Sequence, residues 1–442
     1  MNHFEPLSLM PRMMRRITDR CVTDLRAFHL SAIFLAAYTL LFPLSATAQT
    51  SEAAKPEKPS LHASQTEVLT DHVLVAPPGL LYQGVPAGIP QDEGLAGLRL
   101  ELLRLGTTAR LMQVVAHPDD EDGGMLTLEA RGHGVATLLM TLNRGEGGQN
   151  KIGSNLSDVL GVLRAEELLA SDQYYGVQER FSRVADFGFS KNAPETFEKW
   201  GGHDTALADI VRVIRTFRPD VLVARFSGTD RDGHGNHQAS SILAKEAFRA
   251  AADPKRFPEQ IAQGLEPWQA KKFYIGNVCP WGATTCPDEK WTLKFNTGER
   301  NEALGGSYIQ FSMQGLRHQE SQGAANWTVE PGDRFTFYKL VDSVIPSTTG
   351  KDGHEKSFFD GIDISLPGLA DQADVAAKRP RLRSELQSIS KLIADATSAG
   401  KGNDGSGSIA PLVKAVPSLK QVSTDIESSS LGSAAKMELL TE

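Results

Sequence analysis

Between residues 108 and 280 the chain alternates short apolar runs with longer segments whose apolar residues recur at helical spacing. RLMQVVA (110–116), VATLLMTL (135–142), RFSRVADFG (180–188), PDVLVARF (219–226) and KKFYIGN (271–277) read as buried strands. Residues 121–133 and 157–173, TALADIVRVIRTF (205–217) and the stretch from about Gln238 to Ala251 read as the helices between them. An earlier segment, EGLAGLRLELLRLG (93–106), carries leucines at helical spacing and ends at Gly106. Such alternation predicts an α/β, Rossmann-like fold: a mostly parallel sheet with helices on both faces. In sheets of this kind a site is expected beyond the carboxyl ends of the strands, at the switch point in strand order.

Outside this region the reading is less regular. DRFTFYKLVDSV (333–344) resembles an edge strand, RPRLRSELQSISKLIADATSAG (379–400) a polar amphipathic helix, and KGNDGSGS (401–408) a flexible linker before one last helical stretch. These features suggest a catalytic domain over 91–345 and a partly helical C-terminal extension over 346–442. Residues 49–90, rich in Pro, Ser, Ala and Gln, read as a linker and lead-in. Residues 1–48 read as a signal peptide: MPRMMRRITDR supplies positive charge, LSAIFLAAYTLLFPL the apolar run, and ATA at 46–48 small residues for cleavage. A membrane anchor is the alternative, but the run is short and broken by Pro43. The expectation is an exported protein with no stable membrane insertion after cleavage. In an oxidising compartment Cys279 and Cys286, in NVCPWGATTCPD, are candidates for a small disulfide ring.

Chemistry concentrates at two strand ends. AHPDDE (116–121) follows the first strand, and Pro118 stiffens the turn that brings His117, Asp119 and Asp120 together. Imidazole and carboxylate suit Zn²⁺, and an open zinc site needs three protein ligands. An acidic helix cap would account for the same residues. RFSGTDRDGHGNHQAS (225–240) follows another strand and offers His234 and His237 at the same sheet edge. A third ligand from this loop favours a metal site over a cap.

The two motifs resemble the signatures of the PIG-L or LmbE-like zinc-dependent de-N-acetylases, A-H-P-D-D-E and a later H-P-D-H. The likeness covers roughly residues 108–280. It implies that His117, Asp120 and His237 bind Zn²⁺, that Asp119 is the general base, and that His234 is an electrophilic partner. The second signature departs from the family's, reading H-G-N-H with Gly235 and Asn236 in place of Pro and Asp. That leaves the orientation of His237 and its acidic support open, with Asp230 and Asp232 as nearby substitutes. TLNRGEGGQN, LRAEEL and ADFGFS resemble the family's substrate-facing segments and point to Glu146, with its neighbour Arg144, and to Arg164 and Asp186 as substrate-binding residues. GLRHQESQG (315–323) resembles a segment of larger, exported members, although its His318 is a lone loop histidine.

The expected function is therefore an exported zinc-dependent deacetylase hydrolysing the N-acyl amide of an amino sugar or saccharide. The other readings are an O-acyl esterase or other metal amidohydrolase, or a non-catalytic carbohydrate-binding module. A net charge of -8, with no long Lys/Arg run beyond the first few dozen residues, argues against nucleic acid as a partner. Asp119 and Asp120 are adjacent, whereas glycosidase carboxylates must flank a bond from two sides.

Overall fold

The computed structural model describes residues 89–280, 283–402 and 404–441. The expected signal peptide and nearly all of the expected lead-in lie outside the described residues. The chain builds a seven-stranded sheet from β1 (Arg110–Val115), β2 (Ala136–Thr141), β3 (Gln178–Phe181), β4 (Val221–Ala224), β5 (Lys272–Ile275), β6 (Leu293–Asn296) and β9 (Phe335–Ser343). Two-residue strands β7 (Arg300–Asn301) and β8 (Gly306–Ser307) form a separate hairpin. The order is β3-β2-β1-β4-β5-β9-β6. The first five strands are parallel, and β9 runs antiparallel to both β5 and β6.

The alternation of side chains along a strand explains why these runs are apolar throughout. Met112, Val114, Leu222 and Ala224 enter one core, and Leu111, Val115, Val221 and Val223 enter the other. Helices α5 (His203–Phe217) and α6 (Gly235–Ala250) cover the first face, α5 through Leu207, Ile210, Val211 and Ile214. Its C-cap, Arg218, is left-handed at φ 59°, and Pro219 prevents continuation. On the second face lie α2 (Gly123–Thr127), α3 (Asp158–Tyr175) and α7 (Tyr308–Leu316), with Met125, Leu168 and Phe311 as buried contacts. Helix α1 (Gly94–Leu105) precedes the sheet and ends at Gly106, as its leucine spacing predicts. A short helix, α4 (Ala193–Lys199), connects β3 to α5.

Four sequence expectations are corrected. The third strand stops at Phe181, because the Ser182 hydroxyl is captured by the Leu142 carbonyl and the chain turns away as a loop. The helix expected over 121–133 is one turn of α-helix followed by a π-helical turn, Leu128–Gly132. The strand expected at the edge, β9, is interior, since β6 pairs along its outer side. The expected flexible linker is a tight connection: Ser406–Ser408 forms a 3-10 turn, and the Ser408 hydroxyl donates to Ala396 O. It joins α8 (Leu382–Ala399) to α9 (Ile409–Ser428), after which α10 (Ser433–Thr441) closes the fold.

The extension is packed on the core, and every described residue falls in one compact unit, Tyr82–Glu442. Leu386, Ile389, Ile393, Val422 and Ile426 form its own core, against which Leu105 of α1 packs. Phe358 and Phe359 join the second sheet face, and Glu355 reaches the fully buried Lys272 of β5 at 2.7 Å. No break between compact units falls at residue 345. Among the described residues no helix is long and apolar enough to cross a membrane.

Candidate metal centre and active site

Chain order reverses between β1 and β4, which are neighbours in the sheet, so the loops leaving their carboxyl ends share one crevice. The β1 loop brings His117 and Asp120 together: the Asp120 Oδ2 accepts from the His117 backbone N–H (2.7 Å) and lies 3.1 Å from ring Nδ1. From the first turn of α6, His237 donates Nδ1–H to the Asp232 carbonyl at 3.0 Å, which turns its Nε2 to 3.3 Å from Asp120 Oδ1. Phe226 stacks flat on that imidazole, with centroids 4.1 Å apart. One ligand atom from each of His117, Asp120 and His237 lies within 4.8 Å of the others, the one such group among the described residues. Two imidazoles and a carboxylate are a donor set that fits Zn²⁺ and leaves a position open.

The electrostatics of these side chains follow from this crowding. Burial opposes the charge on Asp120, but His237 and His117 outweigh it and hold the carboxyl well below its usual range. Burial opposes His237 as well, yet the Asp120 carboxylate raises it to about 9. His234 is lowered to about 4 by burial and then by the charges of His117 and His237. It is therefore neutral at neutral pH. Its Nδ1 accepts from the Asn236 backbone N–H at 3.1 Å, which leaves the proton on Nε2.

Asp119, beside these donors, keeps about a third of its side chain exposed (35 %). Its φ of +89° is an unusual backbone state for a residue with a side chain, at a cost of about 1–3 kcal/mol. Arg164, from α3, fixes the carboxylate: Nη2 lies 3.2 Å from Asp119 Oδ1 and also donates to Pro118 O. The guanidinium passes where Gly145 has no side chain, since a Cβ there would lie 2.1 Å from Nη1. Burial, and then repulsion from Asp120, raises Asp119 to about 6 despite Arg164. The next carboxylate, Glu121, turns out of the crevice, is 8 % exposed, and accepts from the Asp119 backbone N–H at 3.0 Å.

The departure from the family's second signature has a local cause. Gly235 donates its N–H to Ser190 O (2.9 Å), a bond that proline lacks, and a Cβ there would meet Asn192 O at 2.4 Å. Asn236 is fully buried; its Nδ2 donates to Asp186 Oδ1 (3.3 Å) and lies 3.2 Å from His117 Nε2, and its Oδ1 accepts from Thr196 (2.9 Å). Spacing alone gave Asn236 no role, although the altered signature marked the position. Of the suggested substitutes, Asp232 spends its carboxylate on the backbone N–H groups of Ser227, Gly228 and Thr229, and its carbonyl orients His237.

The expected substrate-binding residues Arg164 and Asp186 are buried, and with Glu146 they join the loops around the motif residues. Glu146 Oε2 accepts from the backbone of Arg144 (3.0 Å) and Asp186 (2.9 Å), clamping the β2 and β3 loops together. Asp186 is 8 % exposed and accepts from Gly188 N–H. Their visible task is to hold these loops. Phe189, 72 % exposed, places its ring 5.4 Å from that of His234 at the rim. His318 is exposed and lies against Tyr174, apart from the histidine cluster. Cys279 and Cys286 are joined as a disulfide.

The family model for GlcNAc-PI de-N-acetylase (PIG-L) matches residues 112–248. A 1D-myo-inositol 2-acetamido-2-deoxy-alpha-D-glucopyranoside deacetylase 2 of Frankia casuarinae is 32 % identical over 302 residues, covering 58 % of this chain and 94 % of that protein. The corresponding deacetylase of Streptomyces scabiei is 32 % identical over 187 residues, 38 % of this chain and 56 % of that protein. A mycothiol S-conjugate amidase of Streptomyces coelicolor is 29 % identical over 165 residues, 34 % of this chain and 55 % of that protein. The chain thus spans little more than half the length of the two Streptomyces proteins.

Proposed function

Because the chain belongs to the GlcNAc-PI de-N-acetylase (PIG-L) family, we propose that it hydrolyses the N-acetyl amide of an amino sugar or saccharide, with Zn²⁺ held by His117, Asp120 and His237. The observation that carries this reading is the convergence of those three donors beside Asp119, an ionisable group of suitable basicity. When bound, the metal supplies Lewis acidity, polarising the acyl carbonyl and making water a better nucleophile. Asp119, raised to about 6, is ionised at neutral pH yet more basic than an ordinary carboxylate, so it accepts the proton of the attacking water. It is then positioned to return that proton to the leaving amine. His234, neutral with its proton on Nε2, donates a hydrogen bond to the oxygen that gains charge as the carbonyl is attacked. Arg164 keeps Asp119 aimed, while Glu146 and Asp186 hold the loops around the motif residues.

The names of the Frankia and Streptomyces relatives support an acetamido sugar as substrate. A net charge of -8 favours neutral saccharides over strongly anionic polymers. Export is part of the same proposal: the charged, apolar and small-residue stretches of 1–48 support cleavage after Ala48, and the Cys279–Cys286 bond is compatible with an oxidising compartment. N-terminal sequencing of the secreted protein tests it, with Gln49 expected first and an attached apolar segment the opposing result. The activity is tested by acetate release from N-acetylglucosamine oligomers and N-acetylglucosaminyl-inositol, beside acetylated amino acids and O-acetyl esters. Preference for the last two classes overturns the sugar assignment.

A further inference from the structure

Asp119 is held from two directions, and the second begins far from the signature motifs. Glu121 Oε2 takes the Asp119 backbone N–H, while its Oε1 accepts from Tyr175 Oη (2.9 Å) and Gln319 Nε2 (2.8 Å). Gln319 is 1 % exposed and 198 residues from Glu121. It lies outside 112–248, in the turn after α7. That turn is itself pinned. Ser321 donates its N–H (2.8 Å) and hydroxyl to the Glu167 carboxylate of α3, and Lys151 N–H donates to Ser321 O (2.8 Å). Arg164, which grips the Asp119 side chain, sits three residues before Glu167 on the same helix.

We propose that Gln319 is a positioning residue for the proton acceptor: acting through Glu121, it holds Asp119 in its φ +89° state with the carboxylate turned into the crevice. A positive φ persists at a residue with a side chain only where its surroundings over-determine it. Here the Asp119 N–H has a carboxylate acceptor that cannot swing away, because two donors hold its other oxygen. Without Gln319, Tyr175 alone anchors that oxygen, and Asp119 relaxes toward ordinary backbone angles that turn its carboxylate out of line. Gln319 touches neither the expected metal donors nor the crevice, so its loss leaves binding intact and slows the chemical step.

This inference rests on the deacetylase reading, and its tests separate the two. Gln319→Leu should lower kcat at least tenfold, with KM within threefold of wild type and zinc content unchanged. Glu121→Leu should do likewise, since it leaves the Asp119 N–H without its acceptor. The exchanged pair E121Q/Q319E restores a donor facing an acceptor and should recover most of the lost kcat. A purely structural role predicts instead that activity and thermal stability fall in parallel and that the exchange rescues nothing. A crystal structure of Gln319→Leu gives a readout without turnover, with Asp119 expected to leave positive φ. Unchanged kcat, or Asp119 still near +89° in that structure, overturns the proposal. A wild type inactive on every N-acetyl sugar would sink the deacetylase reading, and the φ of Asp119 would still decide the positioning.

Discussion

Asp119→Asn isolates proton transfer from everything else that Asp119 does. Asparagine tolerates positive φ about as well as aspartate, so the +89° backbone is not further strained. One amide oxygen remains to accept from Arg164, now 3.2 Å away, and removing one of two adjacent negative charges relieves the repulsion that raises Asp119. Fold and metal content should therefore be kept, and melting temperature should hold or rise slightly. What is lost is the ability to take a proton, worth roughly 10²–10⁴ in rate, or about 3–5 kcal/mol of barrier. The assay is acetate release at saturating zinc, with kcat and KM measured separately and metal determined by elemental analysis. The expected result is full zinc, KM within a few-fold of wild type and kcat down by about two to four orders of magnitude. Full zinc with kcat within tenfold of wild type would refute Asp119 as proton acceptor. Asp119→Ala supplies a control, because alanine is poorly suited to positive φ and should lose stability that the Asn variant keeps.

His237→Ala should abolish near-stoichiometric zinc binding, since it removes one of three donors; full metal retention would reassign the ligand. Lys272→Met leaves the buried Glu355 carboxyl without its cation, with the Tyr274 and Thr348 hydroxyls as its remaining partners, and should cost about 3–5 kcal/mol in urea unfolding. A loss below about 1 kcal/mol would deny that this pair fastens the extension to the sheet. Burial raises the Asp220 carboxyl to about 6, against an unfolded value near 3.9. The folded state therefore binds the extra proton, and stability falls as pH rises between those values. Asp220→Asn should gain up to about 3 kcal/mol relative to wild type between pH 4 and pH 7, and a flat difference over that range would exclude the effect. Replacing Cys279 and Cys286 by serine opens a ring of sequence separation 7 and should cost about 2 kcal/mol, read from thermal unfolding.

Local patterning specified the parallel sheet and the sheet edge at which the motif residues gather. Apolar runs such as RLMQVV, repeated between helical segments, fit strands buried on both faces, and β1 and β4 bring His117, Asp120 and His237 to one switch point. Short-range chemistry was legible because motif residues within a turn of each other have few ways to point. Tertiary structure decided what depends on distant partners. No spacing announces that Gln319 meets Glu121, that β6 covers β9, or that Lys272 finds Glu355. Asn236 shows the boundary between the two: the sequence marks it as a departure from H-P-D-H. Only the packing of Ser190 and Asn192 against Gly235, and of Asp186 and Thr196 against Asn236, explains why that departure fits. A buried hydrogen bond is specified by the shape of its surroundings, and that shape exists only once the sheet, α3 and α7 have closed around it.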